Sequence, residues 1–347
     1  MHLWVLGTGF VVSIFVSYLV SRYRGPLAVL DQPNERSLHT TPTPRLGGIG
    51  IVAAVLIAFL IFLQFTKSFP VALMTPILEG YLIIIVVSLM DDIFRMPILA
   101  RLAAHFMAAL VLVYGGMNVY IQLIPDWSSS IPEWAGITLL VFFIVWMINL
   151  YNFMDGMDGL AAGMGIIGFG VFAVLGWMRG AQSFTQVSAC IAVACGGFLC
   201  LNYPPAKIFM GDVGSASLGF LAAALILWAS NHNIFPLWAG VMVFSPFIAD
   251  ATWTLICRLL SGKNVWHAHQ GHLYQRLIRL GFGQRKVVLS EYAIMLGCGM
   301  AAIILDNNGH AVIQIIGLTC MLLVFFGIVL SVHMQELRRK RGEPQAC

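Results

Sequence analysis

The chain has 347 residues, of which 59% are hydrophobic and only 10% are charged. A soluble domain carries about 25% charged residues, so this composition excludes a soluble globular protein and indicates one that lies in lipid. The net charge of +4 comes from short loops between apolar runs, which argues against a nucleic-acid partner. The seven cysteines show no spacing typical of zinc ligands and are expected to be small core residues.

The apolar runs predict the fold class. A membrane-spanning helix needs roughly 20 apolar residues, and no hydrophilic stretch is long enough for a separate soluble domain. The sequence therefore predicts an all-α polytopic membrane protein with a single helical domain over 1–347. We expect about eleven transmembrane helices, at 3–20, 47–66, 77–91, 99–116, 135–152, 160–178, 186–203, 215–231, 235–258, 289–305 and 311–333.

The basic residues predict the orientation of these spans. The first run has no Lys or Arg before it and is followed by Arg22 and Arg24. If the N-terminus lies outside, every Lys and Arg except Lys67 and Arg179 falls on the inner side, as the positive-inside rule requires. We therefore expect a periplasmic N-terminus and a cytoplasmic C-terminus. Five polar, turn-rich segments are then cytoplasmic, namely 31–48, 91–97, 149–159, 202–215 and 261–288.

The segment 149–159 is rich in oxygen-bearing side chains. Asn149, Asn152, Asp155 and Asp158 recur every three residues, a spacing that keeps them near one face of a helix end. Carboxylate and amide oxygens suit hard cations such as Mg²⁺. Capping of the next helix would explain one of these residues, but it does not account for all four.

The segment 202–215 ends in a glycine-rich turn that opens the next apolar run. It carries Lys207, Phe209 and Asp212. Glycine-rich turns before a helix N-terminus offer backbone N–H groups to phosphate, and Asp212 could hold a cation beside them. A simple capping turn is the alternative.

Two other inner segments carry charge without a definite signal. Asp91 and Asp92 directly follow an apolar run, which fits either a solvated helix end or a site. The segment 31–48 holds Arg36 and Arg45 in a turn-rich frame. It would either bind phosphates or serve only for packing.

The segment 261–288 contains a cluster of histidines. His267, His269 and His272 lie within six residues and are followed by Arg276. Zinc is a weak interpretation, because no Cys or acidic fourth ligand lies close by. Histidines and arginines that bind a diphosphate fit better, and a solvated basic loop is the third alternative.

Taken together, these segments resemble the polyprenyl-phosphate N-acetylhexosamine-1-phosphate transferase superfamily. The resemblance covers about residues 31–290. It rests on PNxRxxHxxPxPRxGG at 33–48, the pair Asp91 and Asp92 with Arg101, NxxNxxDGxDGLA at 149–161 and NxxPAKxFxGDxGS at 202–215. The order and spacing of these motifs make the resemblance specific.

The resemblance implies a reaction at the cytoplasmic face of the bacterial inner membrane. A polyprenyl phosphate attacks the β-phosphorus of a UDP-N-acetylhexosamine and UMP leaves, which initiates O-antigen or another envelope polysaccharide. Mg²⁺ would be held by Asp155 and Asp212, with Mn²⁺ as an alternative. The expected partners are the UDP-sugar, the polyprenyl phosphate and the bilayer, and a homodimer is left open.

The resemblance also implies a role for each site residue. It gives catalytic roles to Asp91, Asp92, Asp155, Asp212 and His272. It gives substrate contacts to Arg45, Arg101, Asn152, Asp158, Asn202, Lys207, Phe209, His269 and Arg276, with Phe209 stacking on uracil.

The histidine motif and Asp91 each allow more than one interpretation. Members that use UDP-GlcNAc often carry His-x-His-His-Arg, whereas this chain keeps only His272 and Arg276 of that motif. The departure is more similar to O-antigen initiating transferases that use N-acetylfucosamine or N-acetylgalactosamine. Asp91 would act either as a general base or as a group that supports the metal or orients Arg95 and Arg101.

The sequence does not favour two other classes of membrane protein. A secondary transporter places its site near the bilayer midplane, usually within repeats, whereas here the polar groups lie at one face and no repeat is visible. An intramembrane aspartyl protease needs two aspartates that face each other inside spans, and the acids here lie at loop edges.

Overall fold

The computed structural model describes residues 3–23, 25, 29–33, 41–66, 69–117, 132–262 and 271–340. Within them the chain is almost wholly helical. The helices are α1 Leu3–Arg22, α2 Gly48–Phe65, α3 Val71–Phe94, α4 Ile98–Tyr114, α5 Glu133–Phe153, α6 Leu160–Met178, α7 Gln182–Asn202, α8 Asp212–Asn231, α9 Leu237–Val243, α10 Ser245–Leu260, α11 Leu273–Arg279, α12 Gln284–Asn308 and α13 Ala311–Lys340. Two short antiparallel strands, β1 Leu30–Asp31 and β2 Thr43–Pro44, pair Leu30 with Pro44.

The prediction of an all-α polytopic membrane protein is confirmed. Within the described residues, nine helices are long and apolar enough to cross a membrane, or ten if α9 and α10 form one bent span. The remaining apolar helix, α4, has 17 residues and falls just short of that length. The orientation of the termini stays a prediction.

One predicted span is not a straight helix. The span predicted at 235–258 consists of two helices, α9 and α10, which meet at an angle of 79°. The break lies at Phe244, and Pro246 stands in the first turn of α10. Proline lacks the N–H that a continuous helix needs and clashes with the preceding turn, so it is favoured only where a new helix begins.

Helix α8 forms the centre of the bundle. Its residues from Asp212 to Ala229 are all buried, and it packs against α2, α3 and α5. Its sequence is rich in Gly, Ala and Ser, which allow close approach of helices in lipid. The first turn of this central helix therefore lies inside the protein, where it can anchor a site.

The two ends of the bundle differ in chemistry. Arg179 and Asp306, from two of the predicted outer loops, form an ion pair of 2.9 Å. Described residues of the predicted inner segments 31–48, 91–97, 149–159 and 202–215 instead come together at the other end of the bundle, and the segment 261–288 contacts them there through Tyr274.

Candidate active site

Two arginines hold three aspartates together at the predicted inner end. The Arg45 guanidinium lies 2.6 Å from Asp212 Oδ1 and 3.0 Å from Asp92 Oδ1. Arg101 Nη1 lies 2.9 Å from Asp91 Oδ2 and 3.4 Å from Asp212 Oδ2. Three segments far apart in the chain thus meet through charge-assisted hydrogen bonds, which are the stronger kind.

The backbone explains why Arg45 reaches this place. The segment before α2 pairs with the segment before α8: Phe209 N–H donates to Pro44 O at 2.8 Å, and Gly48 N–H donates to Met210 O at 2.8 Å. A Cβ atom on Gly48 would lie only 2.4 Å from the Cα atom of Gly214. The glycines of the two motifs therefore allow the chains to touch.

Asp92 supports the first turn of α8. Its Oδ1 accepts the Asp212 N–H at 3.0 Å and its Oδ2 accepts the Val213 N–H at 2.9 Å. The Asp92 side chain is fully buried, and a carboxylate there satisfies N–H groups that a helix start leaves unpaired. These contacts hold the start of α8 and Arg45 in place, and the catalytic role expected of Asp92 stays a prediction.

Asp91 lies one residue earlier and is engaged differently. Its Oδ1 accepts the Met96 N–H at 2.6 Å, and its Oδ2 accepts a hydrogen bond from Arg101. The carboxylate also faces Asp212. Of the two interpretations from the sequence, orientation of Arg101 matches this geometry.

Asp155 completes a group of four aspartates. It lies between α5 and α6, where its carboxylate interacts with that of Asp212, and the nearby Asn152 side chain faces Asp212. Within the described part of the chain, the Asp155 side chain has no hydrogen bond or ion pair. Burial and the charge of Asp212 raise its pKa well above the usual value, although Arg45 lowers it. Asp91, Asp92, Asp155 and Asp212 are called the carboxylate cluster below.

Arg45 stays charged within this cluster. Burial lowers its pKa, but the neighbouring carboxylates of Asp212 and Asp92 outweigh that effect, so the pKa lies above the usual value. If all four carboxylates are ionised, the two guanidinium groups leave a formal charge of −2. A divalent cation would balance that charge and offset the burial and carboxylate repulsion that raise the pKa of Asp155.

Two residues that were predicted to contact the substrate, Asn202 and Asp158, join neighbouring loops. Asn202 is buried; its Oδ1 accepts the Gly159 N–H and its Nδ2 donates to Ile208 O, both at 2.9 Å. Asp158 Oδ2 accepts the Ala206 N–H at 2.9 Å. The direct role predicted for Asn202 is therefore not matched, because both of its polar atoms are used within the protein.

Lys207 and Phe209 remain accessible on the same loop. Lys207 is exposed and Phe209 is half-buried. Both keep the positions expected of residues that contact a substrate.

The histidine segment is described only from residue 271 onward. His269 lies outside the described residues. His272 is buried at the start of α11, with its Nδ1 3.4 Å from Asp250 Oδ1, and its ring stacks on Tyr274. Among the described residues, no three His, Cys, Asp or Glu side chains form a group that could hold a metal ion.

Arg276 departs from the prediction. It was expected to bind a substrate phosphate, but its Nε and Nη2 donate to Glu336 of α13 at 2.8 and 2.7 Å. This bidentate pair uses the planar fork that a phosphate would need. Glu336 lies 60 residues further along the chain, so no local pattern indicates the contact.

A cavity of about 130 Å³ opens beside the carboxylate cluster, between α3, α4, α5 and α8. Apolar side chains such as Leu102 and Phe153 form most of its surface, and polar side chains that include Arg101 and Asp212 also line it. His105 also lines the cavity, and its Nδ1 atom lies 3.2 Å from Asn149 Nδ2. The sequence signal for His105 was a polar side chain within an apolar helix, which usually has a task.

Comparisons with known proteins agree with this arrangement. The model of glycosyl transferase family 4 matches residues 74–230, which include the carboxylate cluster.

Relatives extend the match over most of the chain. The sequence is 31% identical over 314 residues to a decaprenyl-phosphate N-acetylglucosaminephosphotransferase of Mycobacterium leprae, covering 82% of this chain and 79% of that protein. It is 29% identical over 340 residues to a probable undecaprenyl-phosphate N-acetylglucosaminyl 1-phosphate transferase of Bacillus subtilis, covering 96% and 91%. A phospho-N-acetylmuramoyl-pentapeptide-transferase of Enterococcus faecalis is 33% identical over 232 residues, covering 62% and 70%. The chain belongs to glycosyl transferase family 4, among the polyprenyl-phosphate sugar-1-phosphate transferases.

Proposed function

We propose that this protein transfers an N-acetylhexosamine 1-phosphate from a UDP-sugar to a polyprenyl phosphate and releases UMP. The reaction takes place at the cytoplasmic face of a bacterial inner membrane and initiates an envelope polysaccharide, such as O-antigen. The observation that carries the proposal is the carboxylate cluster with Arg45 and Arg101, beside a largely apolar cavity.

The donor set suits magnesium. Mg²⁺ is usually bound by one or two carboxylates together with substrate phosphates and water, so a group of three protein ligands is not required. Asp155, which has no side-chain partner among the described residues, and Asp212 are the two carboxylates that would hold the ion. When bound, the ion neutralises diphosphate oxygens and the charge that develops on the leaving UMP.

The donor is assigned to the loop before α8. Phe209 offers a half-buried ring for the uracil base, and Lys207 offers an exposed ammonium group for the diphosphate. Asp158 and Asn202 fix the shape of this loop through backbone contacts, so their effect on substrate is indirect.

The acceptor is assigned to the cavity between α3, α4, α5 and α8. Arg101, which lines this cavity, would bind the acceptor phosphate, while the apolar side chains of the lining suit the first isoprene units. One oxygen of that phosphate attacks the β-phosphorus, and the bond from this phosphorus to the bridging oxygen of UMP breaks. The second pKa of a phosphate monoester is about 6, so the attacking group needs no general base near neutral pH.

Two observations point to different sugars in the donor. The mycobacterial and Bacillus relatives are named for N-acetylglucosamine, whereas the stretch from His272 to Arg276 departs from the pattern of enzymes that use that sugar. An assay must therefore compare UDP-GlcNAc, UDP-GalNAc and UDP-N-acetylfucosamine.

The test uses the purified full-length chain in detergent with each UDP-sugar, a short-chain polyprenyl phosphate and Mg²⁺. We expect UMP and a lipid-linked sugar diphosphate in equal amounts with one or more of the donors. Uptake of UDP-sugar by proteoliposomes without UMP release would instead support the transporter alternative.

A further inference from the structure

A buried tyrosine of α11 contacts the turn that carries Asp155. Tyr274 has no exposed surface. Its hydroxyl donates to Phe153 O across 3.5 Å and faces the N–H of Gly156. The tyrosine thus touches the backbone on both sides of Asp155, 121 residues away from Phe153 in the chain.

The fit between the two segments is tight. A Cβ atom added to Gly156 would lie 2.2 Å from the Tyr274 hydroxyl oxygen, 3.3 Å from its Cζ and 3.4 Å from Gln275 Nε2. Real Cβ contacts are essentially never below 3.0 Å. Gly156 is therefore required at this place because of Tyr274.

Tyr274 is itself held in place by α10. Both oxygens of Asp250 accept the Leu273 N–H, at 2.9 and 3.0 Å, and Thr254 Oγ1 donates to Asp250 at 3.1 Å. The His272 backbone N–H donates to Gln275 Oε1 at 3.3 Å. The start of α11 is thus tied to a buried carboxylate of another helix, so Tyr274 has a fixed position.

Asp155 depends on its backbone for its orientation. Its side chain has no hydrogen bond or ion pair within the described ranges, unlike Asp91, Asp92 and Asp212. We propose that Tyr274 is a positioning residue that fixes the Asp155 turn, and that Asp250 anchors the short helix that carries it. This inference rests on the proposed function insofar as Asp155 holds the divalent cation.

The experiment exploits the contact between Gly156 and Tyr274. Gly156→Ala places a Cβ atom against the Tyr274 hydroxyl. Tyr274→Phe removes that hydroxyl oxygen, and the nearest remaining ring atom, Cζ, would lie 3.3 Å from the new Cβ atom. Gly170→Ala is the matched control for the glycine, since nothing lies within 4 Å of a Cβ atom there. Tyr81→Phe is the control for the tyrosine, because Tyr81 is buried and its hydroxyl has no hydrogen-bond partner among the described residues.

Two properties are measured on each purified full-length variant. The first is binding of Mn²⁺, a paramagnetic substitute for Mg²⁺, by electron paramagnetic resonance. The second is the KM for Mg²⁺ and for UDP-sugar in the transfer reaction. We expect Gly156→Ala to weaken Mn²⁺ binding and raise the KM for Mg²⁺ by about 10-fold or more, as changes in outer-shell partners do, with little change in the KM for UDP-sugar.

The double variant tests whether Gly156→Ala acts through its contact with Tyr274. Gly156→Ala with Tyr274→Phe should bind Mn²⁺ more tightly than Gly156→Ala alone, and Tyr81→Phe should give no such rescue. Tyr274→Phe alone should weaken Mn²⁺ binding, because it removes the contact to Phe153 O, whereas Tyr81→Phe alone should leave it unchanged. Wild-type Mn²⁺ binding by Tyr274→Phe would overturn the positioning role. Absence of UMP release from the wild type would refute the proposed function separately, since the Mn²⁺ titration does not depend on turnover.

Discussion

The carboxylate of Asp92 lies under the first turn of the helix that begins at Asp212 and accepts the backbone N–H groups of Asp212 and Val213. The neighbouring Asp91 instead holds Arg101. Two adjacent aspartates therefore have different contacts: Asp92 supports the start of α8, and Asp91 orients Arg101.

This difference predicts separable effects of substitution. Removing one partner of a buried charge pair typically costs about 3–5 kcal/mol, so Asp92→Ala should lower the melting temperature in detergent markedly. Asp91→Ala should lower activity with a smaller change in melting temperature. Equal melting temperatures for the two variants would contradict the supporting role of Asp92.

The role of Asp91 is tested by the pH dependence of Asp91→Asn. Because the acceptor phosphate loses its second proton near pH 6, no base is needed at pH 7 and above. We expect the variant to keep a pH–rate profile parallel to that of the wild type, at lower activity. A residual rate that rises steadily above pH 7 would show hydroxide replacing a lost general base.

The pair Arg276 and Glu336 predicts a structural role for both residues. Arg276→Gln and Glu336→Gln should lower the melting temperature by similar amounts and leave the KM for UDP-sugar unchanged, because each breaks the same bidentate contact. If Arg276→Gln raises the KM for UDP-sugar while Glu336→Gln does not, Arg276 binds the donor as the sequence suggested.

The contact between Gly48 and Gly214 predicts a steric effect. In Gly48→Ala the new methyl group would meet backbone at 2.4 Å, and backbone cannot rotate away as a side chain can. Overpacking of this kind costs about 1–3 kcal/mol, and displacement of Arg45 should lower transfer activity as well. Gly170→Ala serves as the control, and a Gly48→Ala protein with unchanged stability and activity would disprove the close packing.

The sequence was sufficient for the helical architecture and for the gathering of polar segments. Asymmetry in Lys and Arg predicted that the five segments share one side, and the network that joins Arg45, Asp91, Asp155, Asp212 and Tyr274 agrees with this. Apolar runs and the distribution of Lys and Arg are local features of the sequence, so they predict helices and their orientation without knowledge of packing.

The sequence was insufficient wherever a task depends on a distant partner. The role of Asp92 differs from that of Asp91 because Asp92 contacts the first turn of α8, which lies 120 residues later in the chain. Arg276 meets Glu336 across 60 residues, and the importance of Tyr274 arises from its contact with another loop. The bend between α9 and α10 is an exception, since Pro246 could have indicated it.

The most direct test of the central claim is release of UMP by the purified protein, with and without a chelator. We predict that UMP and lipid-linked sugar appear in equal amounts, that EDTA stops the reaction and that added Mg²⁺ restores it. Asp155→Asn and Asp212→Asn should each reduce the rate by about 100-fold, as loss of a group that stabilises the transition state does. Transfer that continues in EDTA, or at an undiminished rate in both variants, would contradict a cation held by these two aspartates.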